Sequence, residues 1–200
     1  MSDTKKKLGG IIKILKGGGV GVLPTDTIYG IVGSALIPEA VRRIYKLRRR
    51  NQRKPMIVLI SSVANLKKFG VRIGVRERKV LNRIWPNKVS VILPLSAKRR
   101  ALSDKLEYLH RGTKSIAFRL PKSNWLRKLL ANVGPLVAPS ANWEGKPPAR
   151  TIREARRYFG KKVDFYIDAN RLVSKPSTLV AIKDGRIKVL RMGAARISVK

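Results

Sequence analysis

The chain has 200 residues, of which 46 are lysine or arginine and only 11 are acidic, so its formal net charge at pH 7 is +35. It contains no cysteine and one histidine, His110, which excludes disulfides, thiolate metal sites, a thiol nucleophile and multi-histidine metal sites. This excess of positive charge favours polyanions as partners, and its spread along the whole chain argues against a separate basic tail.

The first part of the chain alternates helix and strand signals. A short amphipathic helix is predicted over Leu8–Leu15, Gly17–Gly19 stops it, and Val20–Leu23 is typical of a buried strand. Pro38 occupies the favoured first turn of a second helix, and a continuous apolar strand follows at Met56–Ile60. No apolar run has the length of a signal peptide or a membrane span.

The second part of the chain continues this alternation. The predicted elements are helix Arg76–Trp85, strand Val89–Leu95, strand Ser115–Leu120, helix Ser123–Asn132, strand Leu136–Ala138, a helix opened by the capping box Thr151–Glu154, strand Val163–Ile167, and strands Thr178–Ile182 and Ile187–Arg191. Asp184-Gly185 between the last two strands is a strong hairpin signal. The pattern predicts one α/β domain over residues 1–200 with about seven strands, and this length leaves no room for an additional C-terminal domain.

Common catalytic and nucleotide-binding motifs are missing from the sequence. Gly17–Gly19 is not followed by the Lys-Ser/Thr of a P-loop and lacks the dinucleotide-binding spacing, so a helix stop explains it better. With His110 as the one histidine, a Ser-His-Asp triad has no support. Any chemistry is therefore expected from polar residues at the ends of the predicted strands.

Two clusters of small polar residues follow predicted strands. Thr25, Thr27 and Tyr29 bring two hydroxyls and a phenol to one strand end, where they suit a small polar substrate. The same residues, with the aspartate between the threonines, can equally stabilise a turn. Ser140 and Asn142 are two apart in an extended segment and so point the same way. They suit a phosphate or a carboxylate, or they form a polar turn.

Cations stand at the ends of other predicted elements. Arg48 and Arg50 end the second predicted helix, and Lys54 lies just before the next strand. Cations at this position complement the helix dipole, but arginine forks also bind phosphate bidentately. Ser177 opens the predicted hairpin and Arg191 closes it, and a single arginine at a strand end is usually a solvated residue.

Taken together and in this order, these segments resemble the YrdC/TsaC family of threonylcarbamoyl-adenylate synthases, over roughly residues 7–192. The matching pieces are Leu23–Gly30, Lys54–Ile57, Phe118–Pro121, Ala138–Asn142, Ser177–Val180 and Leu190–Gly193. The resemblance implies a stand-alone YrdC-like domain of α/β class. Its expected architecture is a twisted mixed sheet flanked by helices, with a positively charged open groove.

The resemblance also implies which residues act. The family's Lys-x-Arg and Ser-x-Asn pairs converge on the nucleotide phosphates. The matching catalytic and ATP-binding residues here are Arg48, Arg50, Ser140 and Asn142, with Lys54 also facing ATP. The residues implied to hold threonine are Thr25, Thr27, Tyr29, Arg119, Ser177 and Arg191. Either Arg119 or Arg191 is a natural clamp for the threonine carboxylate.

Two stretches depart from the family pattern. Arg48 stands where the family usually has lysine, so a planar fork replaces a compact ammonium, and Lys46 is a shifted alternative for that lysine. Trp85–Ser90 matches the family's Trp-Pro-Gly-Pro-x-Thr with asparagine for glycine, lysine for the second proline and serine for threonine. Asparagine tolerates left-handed turns and serine keeps a hydroxyl, so the loop can keep its shape.

The resemblance implies a nucleotidyltransferase that joins L-threonine, bicarbonate and ATP into threonylcarbamoyl-AMP and pyrophosphate. This is the first step of the tRNA N6-threonylcarbamoyladenosine modification. Mg²⁺ is expected to arrive with the triphosphate, because carboxylates are too sparse for an evident protein site. A cytoplasmic location away from membranes, TsaB-, TsaD- and TsaE-like proteins downstream, and contact of tRNA or other RNA with the basic surface are further expectations.

Other functions fit parts of the sequence. A non-catalytic RNA-binding protein of the same fold would explain the charge of +35 but would not need the Ser-x-Asn pair or the threonine-rich strand end. A carbamoyl transferase of the hydrogenase-maturation type carries this domain in a longer chain with cysteine-rich segments, which are missing from this sequence. A sugar-phosphate lyase would need an acidic metal site, and carboxylates are sparse.

Overall fold

The computed structural model describes residues 3–183 and 185–197. Among them, nine strands form one sheet: β1 (Gly21–Pro24), β2 (Tyr29–Ser34), β3 (Val58–Leu59), β4 (Val89–Pro94), β5 (Ser115–Arg119), β6 (Leu136–Val137), β7 (Phe165–Tyr166), β8 (Thr178–Lys183) and β9 (Arg186–Arg191). The helices in the described ranges are α1 (Asp3–Lys16), α2 (Pro38–Arg48), α3 (Val75–Ile84), α4 (Arg100–Lys105), α5 (Glu107–His110), α6 (Asn124–Val133) and α7 (Ile152–Phe159), with short 3-10 helices at Val63–Phe69 and Ala97–Arg99.

The sheet mixes parallel and antiparallel neighbours. Its strand order is β7-β1-β2-β6-β3-β5-β4-β8-β9. The pairs β1–β7, β3–β5 and β4–β8 are parallel, and the other neighbours are antiparallel. One further bridge, between Gly30 and Ser140, extends the pairing of β2 past the end of β6. This order brings strands from the first and middle parts of the chain side by side at the centre of the sheet, and places the β8–β9 hairpin at one edge.

Helices cover both faces of the sheet, and each face has its own apolar cluster. On one face, Leu15 of α1 and Leu126 and Leu130 of α6 pack against residues of β1, β2, β3 and β6. The larger cluster on the other face includes buried side chains of α2, α3 and α7. Burying a leucine completely stabilises a fold by about 1.5–3 kcal/mol, so the two layers together fix the sheet. No helix in the described ranges is both long and apolar enough to cross a membrane.

Strand β2 was not predicted from the sequence, although all six of its residues are buried. Its glycines explain both facts. A Cβ on Gly33 would lie 3.2 Å from a methyl of Ile44 and 3.3 Å from Ala40, so glycine lets α2 pack closely on the strand. In a sequence, Gly30 and Gly33 indicate turns rather than a strand, and this composition concealed β2.

Helix α2 leads directly into the candidate site. Pro38 lies in its first turn, as predicted, and its buried stripe includes Val41 and Ile44. The helix ends at Arg48, and Arg49 adopts a left-handed conformation with φ of 52°. This turn satisfies terminal carbonyls of the helix and sends the following residues back toward the sheet.

The predicted mixed α/β fold is confirmed, with nine strands in the described ranges rather than about seven. Thr151 caps α7, as its capping box predicted, and β8 pairs with β9 as the predicted hairpin. The turn residue Asp184 lies outside the described residues. Several predicted strands are shorter than expected. β3 keeps only Val58–Leu59 of Met56–Ile60, β7 keeps only Phe165–Tyr166 of Val163–Ile167, and β4, β5 and β6 each stop one residue early.

Candidate active site

A cavity of about 420 Å³ opens where the ends of the central strands meet. The predicted site residues that line it are Thr25, Thr27, Tyr29, Arg48, Arg50, Arg119, Ser140, Ser177 and Arg191. Lys54 and Asn142 are not part of the lining. Four arginines and no carboxylate stand among the described residues that line the cavity, so the site favours an anionic ligand.

The threonine-rich strand end is both a turn and part of the cavity wall. The hydroxyl of Thr25 donates to the carbonyl of Ile28 at 2.7 Å and accepts from the backbone N–H of Thr27 at 3.2 Å. The hydroxyl of Thr27 lies 3.0 Å from that of Thr25. The two functions proposed for this segment are therefore compatible, because the turn itself aims Thr27 at the cavity.

Arg119, at the end of β5, is held under this turn with only 3% of its surface exposed. Its Nη1 donates to the hydroxyl of Thr27 at 3.2 Å, and its Nη2 lies 3.3 Å from Oδ1 of Asp26. Burial lowers the pKa of Arg119, while Asp26 acts in the opposite direction and Arg191 adds to the lowering. The Nε–H has no partner in the described part of the chain. Asp26 thus balances the charge of one buried arginine without entering the cavity lining.

Arg48 forms the other buried cationic centre, and it also is 3% exposed. Its Nε donates to the carbonyl of Ser140 at 2.8 Å, and its Nη2 donates to the Ser140 hydroxyl and to Oδ1 of Asn142, each at 3.1 Å. Its Nη1 has no partner among the described residues. Burial, and after it the charge of Arg50, lower the pKa of Arg48 to about 10, so it remains protonated at neutral pH.

Asn142 acts through other residues in this arrangement. Its Oδ1 accepts from Arg48, and its Nδ2 donates to the carbonyls of Trp143 at 2.7 Å and Lys146 at 2.6 Å. The amide is therefore fully engaged within the protein. Its observed contribution is to hold Arg48 and to fix the loop that follows Ser140.

Arg50 and Lys54 lie on the loop after α2. Arg50 lines the cavity while its Nε and Nη2 donate to the carbonyls of Lys54 and Pro55, at 3.2 and 2.9 Å. The ammonium of Lys54 lies 2.9 Å from Oε1 of Glu144, outside the cavity. Arg50 and Lys54, two of the three cations predicted to face ATP, are thus close in the chain but differ in their surroundings.

The hairpin brings Ser177 and Arg191 to the opposite wall. The hydroxyls of Ser90 and Ser177 are 2.8 Å apart and both side chains are buried, so the serine in the divergent Trp85–Ser90 segment supports Ser177 from below. Arg191 donates from Nη2 to the carbonyl of Ser177 at 2.8 Å. Arg191 is exposed at the rim of the cavity, and its remaining N–H groups lie there as well.

Tyr29 lines the cavity, but its hydroxyl is directed elsewhere. The side chain is fully buried, and its oxygen lies 2.7 Å from the carbonyl of Asn170 and 3.2 Å from Oδ1 of Asp168. It also accepts from the N–H of Ala169 at 2.8 Å. The phenol thus anchors the segment after β7, and its predicted role in threonine binding stays a prediction.

Some residues of the site were not identified from the sequence. Thr113 and Ser115 add hydroxyls to the lining, and Met56, Ile92 and Leu179 add apolar surface. These residues lie within or beside predicted strands, where nothing in the pattern distinguishes a cavity wall from an ordinary core face. No cluster of three or more potential metal ligands occurs in residues 3–183 and 185–197.

Comparison with known proteins places this site in a known context. A sequence model of the family Sua5_yciO_yrdC, described as "Telomere recombination", matches residues 13–193. A threonylcarbamoyl-AMP synthase of Thiobacillus denitrificans is 31% identical over 194 residues, which cover 94% of this chain and 98% of that protein. A threonylcarbamoyl-AMP synthase of Bacillus subtilis is 27% identical over 195 residues, which cover 96% of this chain but only 55% of the length of that protein.

A solved structure of a related protein has a similar fold. The crystal structure of P. abyssi Sua5 complexed with L-threonine superposes with a TM-score of 0.83 at 26% sequence identity. The match covers 94% of this chain and 54% of that chain, so the present chain spans about half the length of that protein.

Proposed function

This chain belongs to the Sua5–YciO–YrdC family, and from that premise we propose that it is a threonylcarbamoyl-AMP synthase. The proposed enzyme is a nucleotidyltransferase that combines L-threonine, bicarbonate and ATP and releases threonylcarbamoyl-AMP and pyrophosphate. The names of the relatives from T. denitrificans and B. subtilis and the threonine complex of P. abyssi Sua5 support this proposal.

The observation that carries the proposal is the uneven balance of charge in the cavity. At one end, Asp26 lies beside Arg119 and offsets its charge. Near Arg48 and Arg50, the carboxylate of Glu144 lies outside the described lining and is paired with Lys54, so it offsets the charge of these two arginines only in part. The balanced end suits a zwitterionic amino acid, whose carboxylate can reach Arg191 at the rim. The unbalanced end suits the more strongly charged triphosphate.

The reaction needs positioning and charge stabilisation more than acid–base groups. The neutral amine of threonine attacks the carbon of bicarbonate or CO₂ and forms a carbamate, with loss of water in the case of bicarbonate and of a proton to solvent in the case of CO₂. A carbamate oxygen then attacks the α-phosphorus of ATP, and the bond to the bridging oxygen of pyrophosphate breaks. Arg48, fixed by Ser140, would present its free Nη1–H to the developing negative charge.

Magnesium is proposed to enter the cavity as part of the substrate, MgATP. The described residues of the cavity lining include no carboxylate, so the protein supplies hydroxyls and arginines rather than ligands for a hard cation. ATP, L-threonine and bicarbonate are the proposed partners at the cavity. The downstream TsaB-, TsaD- and TsaE-like proteins remain an expectation from the resemblance.

The proposal is tested by incubating the protein with MgATP, bicarbonate and L-threonine and measuring pyrophosphate and threonylcarbamoyl-AMP by mass spectrometry. Ser140→Ala and Arg50→Ala are each expected to lower adenylate formation about 100-fold, because each removes a polar group from the nucleotide end of the cavity. Arg42→Ala on the exposed face of α2 is the matched control and should retain full activity. Circular dichroism should give the same spectrum for all variants.

Two results would contradict this assignment. Threonine-independent pyrophosphate release would point to a different reaction, and normal product formation in both Ser140→Ala and Arg50→Ala would refute the site. A folded protein that makes no product but binds RNA tightly would favour the RNA-binding alternative, which the net charge of +35 motivates.

A further inference from the structure

Two loops are joined at the edge of the cavity, and the contacts lie outside the cavity lining. The first loop is residues 49–54, and the second follows the Ser-x-Asn pair. The N–H of Glu144 donates to the carbonyl of Arg48 at 2.8 Å. The guanidinium of Arg49 lies 3.8 Å from the centroid of the Trp143 ring, in a cation–π contact. The end of α2 is thereby tied to the loop that carries Ser140.

The carboxylate of Glu144 makes the most specific contacts in this pair of loops. One oxygen accepts from the backbone N–H of Asn51 at 2.5 Å, and the other lies 2.9 Å from the ammonium of Lys54. The hydrogen bond from Asn51, and then that from Lys54, hold the pKa of the Glu144 carboxyl below its usual range. Glu144 is therefore ionised at neutral pH, and 26% of its side chain is exposed.

The first loop has a physical need for this carboxylate. The seven residues from Arg48 to Lys54 include five cations and no acid. Like charges at such short separations repel one another, and the repulsion favours a spread-out loop. Glu144 supplies a negative charge from outside the cavity, so it offsets the repulsion without blocking an anionic ligand.

The contacts of Glu144 reach Arg50 through the backbone. Arg50 donates to the carbonyls of Lys54 and Pro55, so its direction depends on how those two carbonyls are held. The hydroxyl of Tyr45 also donates to the Lys54 carbonyl, at 3.0 Å. Fixing Asn51 and Lys54 therefore fixes the side chain that enters the cavity.

We propose that Glu144 is a positioning residue that orders residues 50–54 and so directs Arg50 into the cavity before the nucleotide binds. This inference rests on the proposed function, because ATP is the ligand that Arg50 would meet. Glu144 touches no reacting atom in this arrangement. Its removal should therefore weaken ATP binding and leave threonine binding and the chemical step nearly unchanged.

The test compares Glu144→Ala, Glu144→Gln and the wild type, with Glu39→Gln as a control that makes the same charge change on the exposed surface of α2. The Kd for MgATP is measured by calorimetry, the kinetic constants by product formation, and the protection of the Asn51 amide by hydrogen exchange. Glu144→Ala is expected to raise the Kd and KM for ATP about tenfold, with kcat and the KM for threonine within about twofold. Exchange at Asn51 should accelerate in the same variant.

Glu144→Gln keeps an acceptor for Asn51 but loses the ion pair with Lys54, so it should fall between wild type and Glu144→Ala. If Glu144→Ala does not fold, the glutamine variant carries the comparison. Unchanged ATP affinity in the folded variants would overturn the inference, as would tighter ATP binding, which would make Glu144 a competitor for Lys54. Because Kd and exchange need no turnover, a chain that binds ATP without forming product would refute the proposed function alone.

Discussion

Arg48 both holds neighbouring residues in place and lines the candidate active site. The resemblance placed arginine where the family usually has lysine. The structure gives that arginine simultaneous contacts with the Ser140 carbonyl, the Ser140 hydroxyl and the Asn142 amide oxygen, and leaves Nη1 without a partner among the described residues. A compact ammonium has no rigid fork with which to hold the same geometry. The free N–H of Arg48 therefore has a fixed direction.

We expect Arg48→Met, which keeps much of the volume but removes the charge, to lower adenylate formation about 100-fold. Arg48→Lys keeps the charge without the fork and should lose less. Adenylate formation is measured at pH 7.5, where the pKa of about 10 keeps the wild-type guanidinium protonated. Wild-type activity in Arg48→Met would contradict a direct role for the side chain.

A charged contact joins α2 to the segment before β7, the strand at one edge of the sheet. Arg43 on α2 makes a two-point contact with Asp164, from Nη1 at 2.7 Å and from Nη2 at 3.0 Å, and Asp164 also accepts from the N–H of Val20 at 2.7 Å. The hydrogen bond from Arg43 is the main reason that the pKa of Asp164 is lowered. This carboxylate therefore joins α2, the start of β1 and the segment before β7.

The lowered pKa of Asp164 predicts a pH dependence with a definite sign. Because the folded protein binds this proton more weakly than the unfolded chain does, the stabilisation is complete above the unfolded pKa of about 4 and is lost as pH falls through the folded pKa. Asp164→Asn should lower the free energy of unfolding by about 1 kcal/mol at pH 7, since the pair is partly exposed and screened. Urea unfolding at pH 7 and at pH 3 measures the difference, which should shrink at pH 3. An equal difference at both pH values would contradict this origin.

The elements differ in how well the sequence predicted them. Helices such as α2 and α7 carry local signals, a proline in the first turn and a capping threonine, and both begin where those signals stand. Strand β2 carries no such signal, since Gly30 and Gly33 owe their place to α2 and the neighbouring strands packed against them. Local signals such as a first-turn proline or a capping threonine can be recognised in a sequence, whereas close packing between distant segments cannot.

Residues of the candidate site also differ in whether local motifs or only tertiary contacts identify them. Nine of the eleven residues implied by the resemblance line the cavity, and the other two, Lys54 and Asn142, are not part of the lining. Glu144 was not identified, because its contact with Lys54 spans 90 positions of the chain and neither residue marks the other. The order of motifs indicated where the site lies. The support around it depends on tertiary contacts.

At the scale of the whole molecule, the charge of +35 predicts nucleic-acid binding that is separate from the chemistry in the cavity. Arg50→Ala removes one of many positive charges, so its affinity for tRNA should stay within about twofold of wild type while adenylate formation falls. Binding should weaken about a thousandfold or more between 50 and 200 mM salt if at least six phosphates are contacted. Fluorescence anisotropy with tRNA and an unrelated RNA measures both effects. A large loss of tRNA affinity in Arg50→Ala alone would instead place RNA at the cavity.

The assembly of the cavity also has a consequence for biosynthesis. Thr25 and Arg50 come from the early part of the chain, whereas Ser177 and Arg191 come from the late part. Ser177 reaches its partner Ser90 only when β8 pairs with β4, and Arg191 arrives only when β9 pairs with β8. A polypeptide still emerging from the ribosome therefore contains Arg48, Arg50 and Arg119 before the wall formed by Ser177 and Arg191 has been made. A partly translated chain would therefore not release the labile mixed anhydride threonylcarbamoyl-AMP, because the cavity in which this product forms is complete only after the β8–β9 hairpin has been translated.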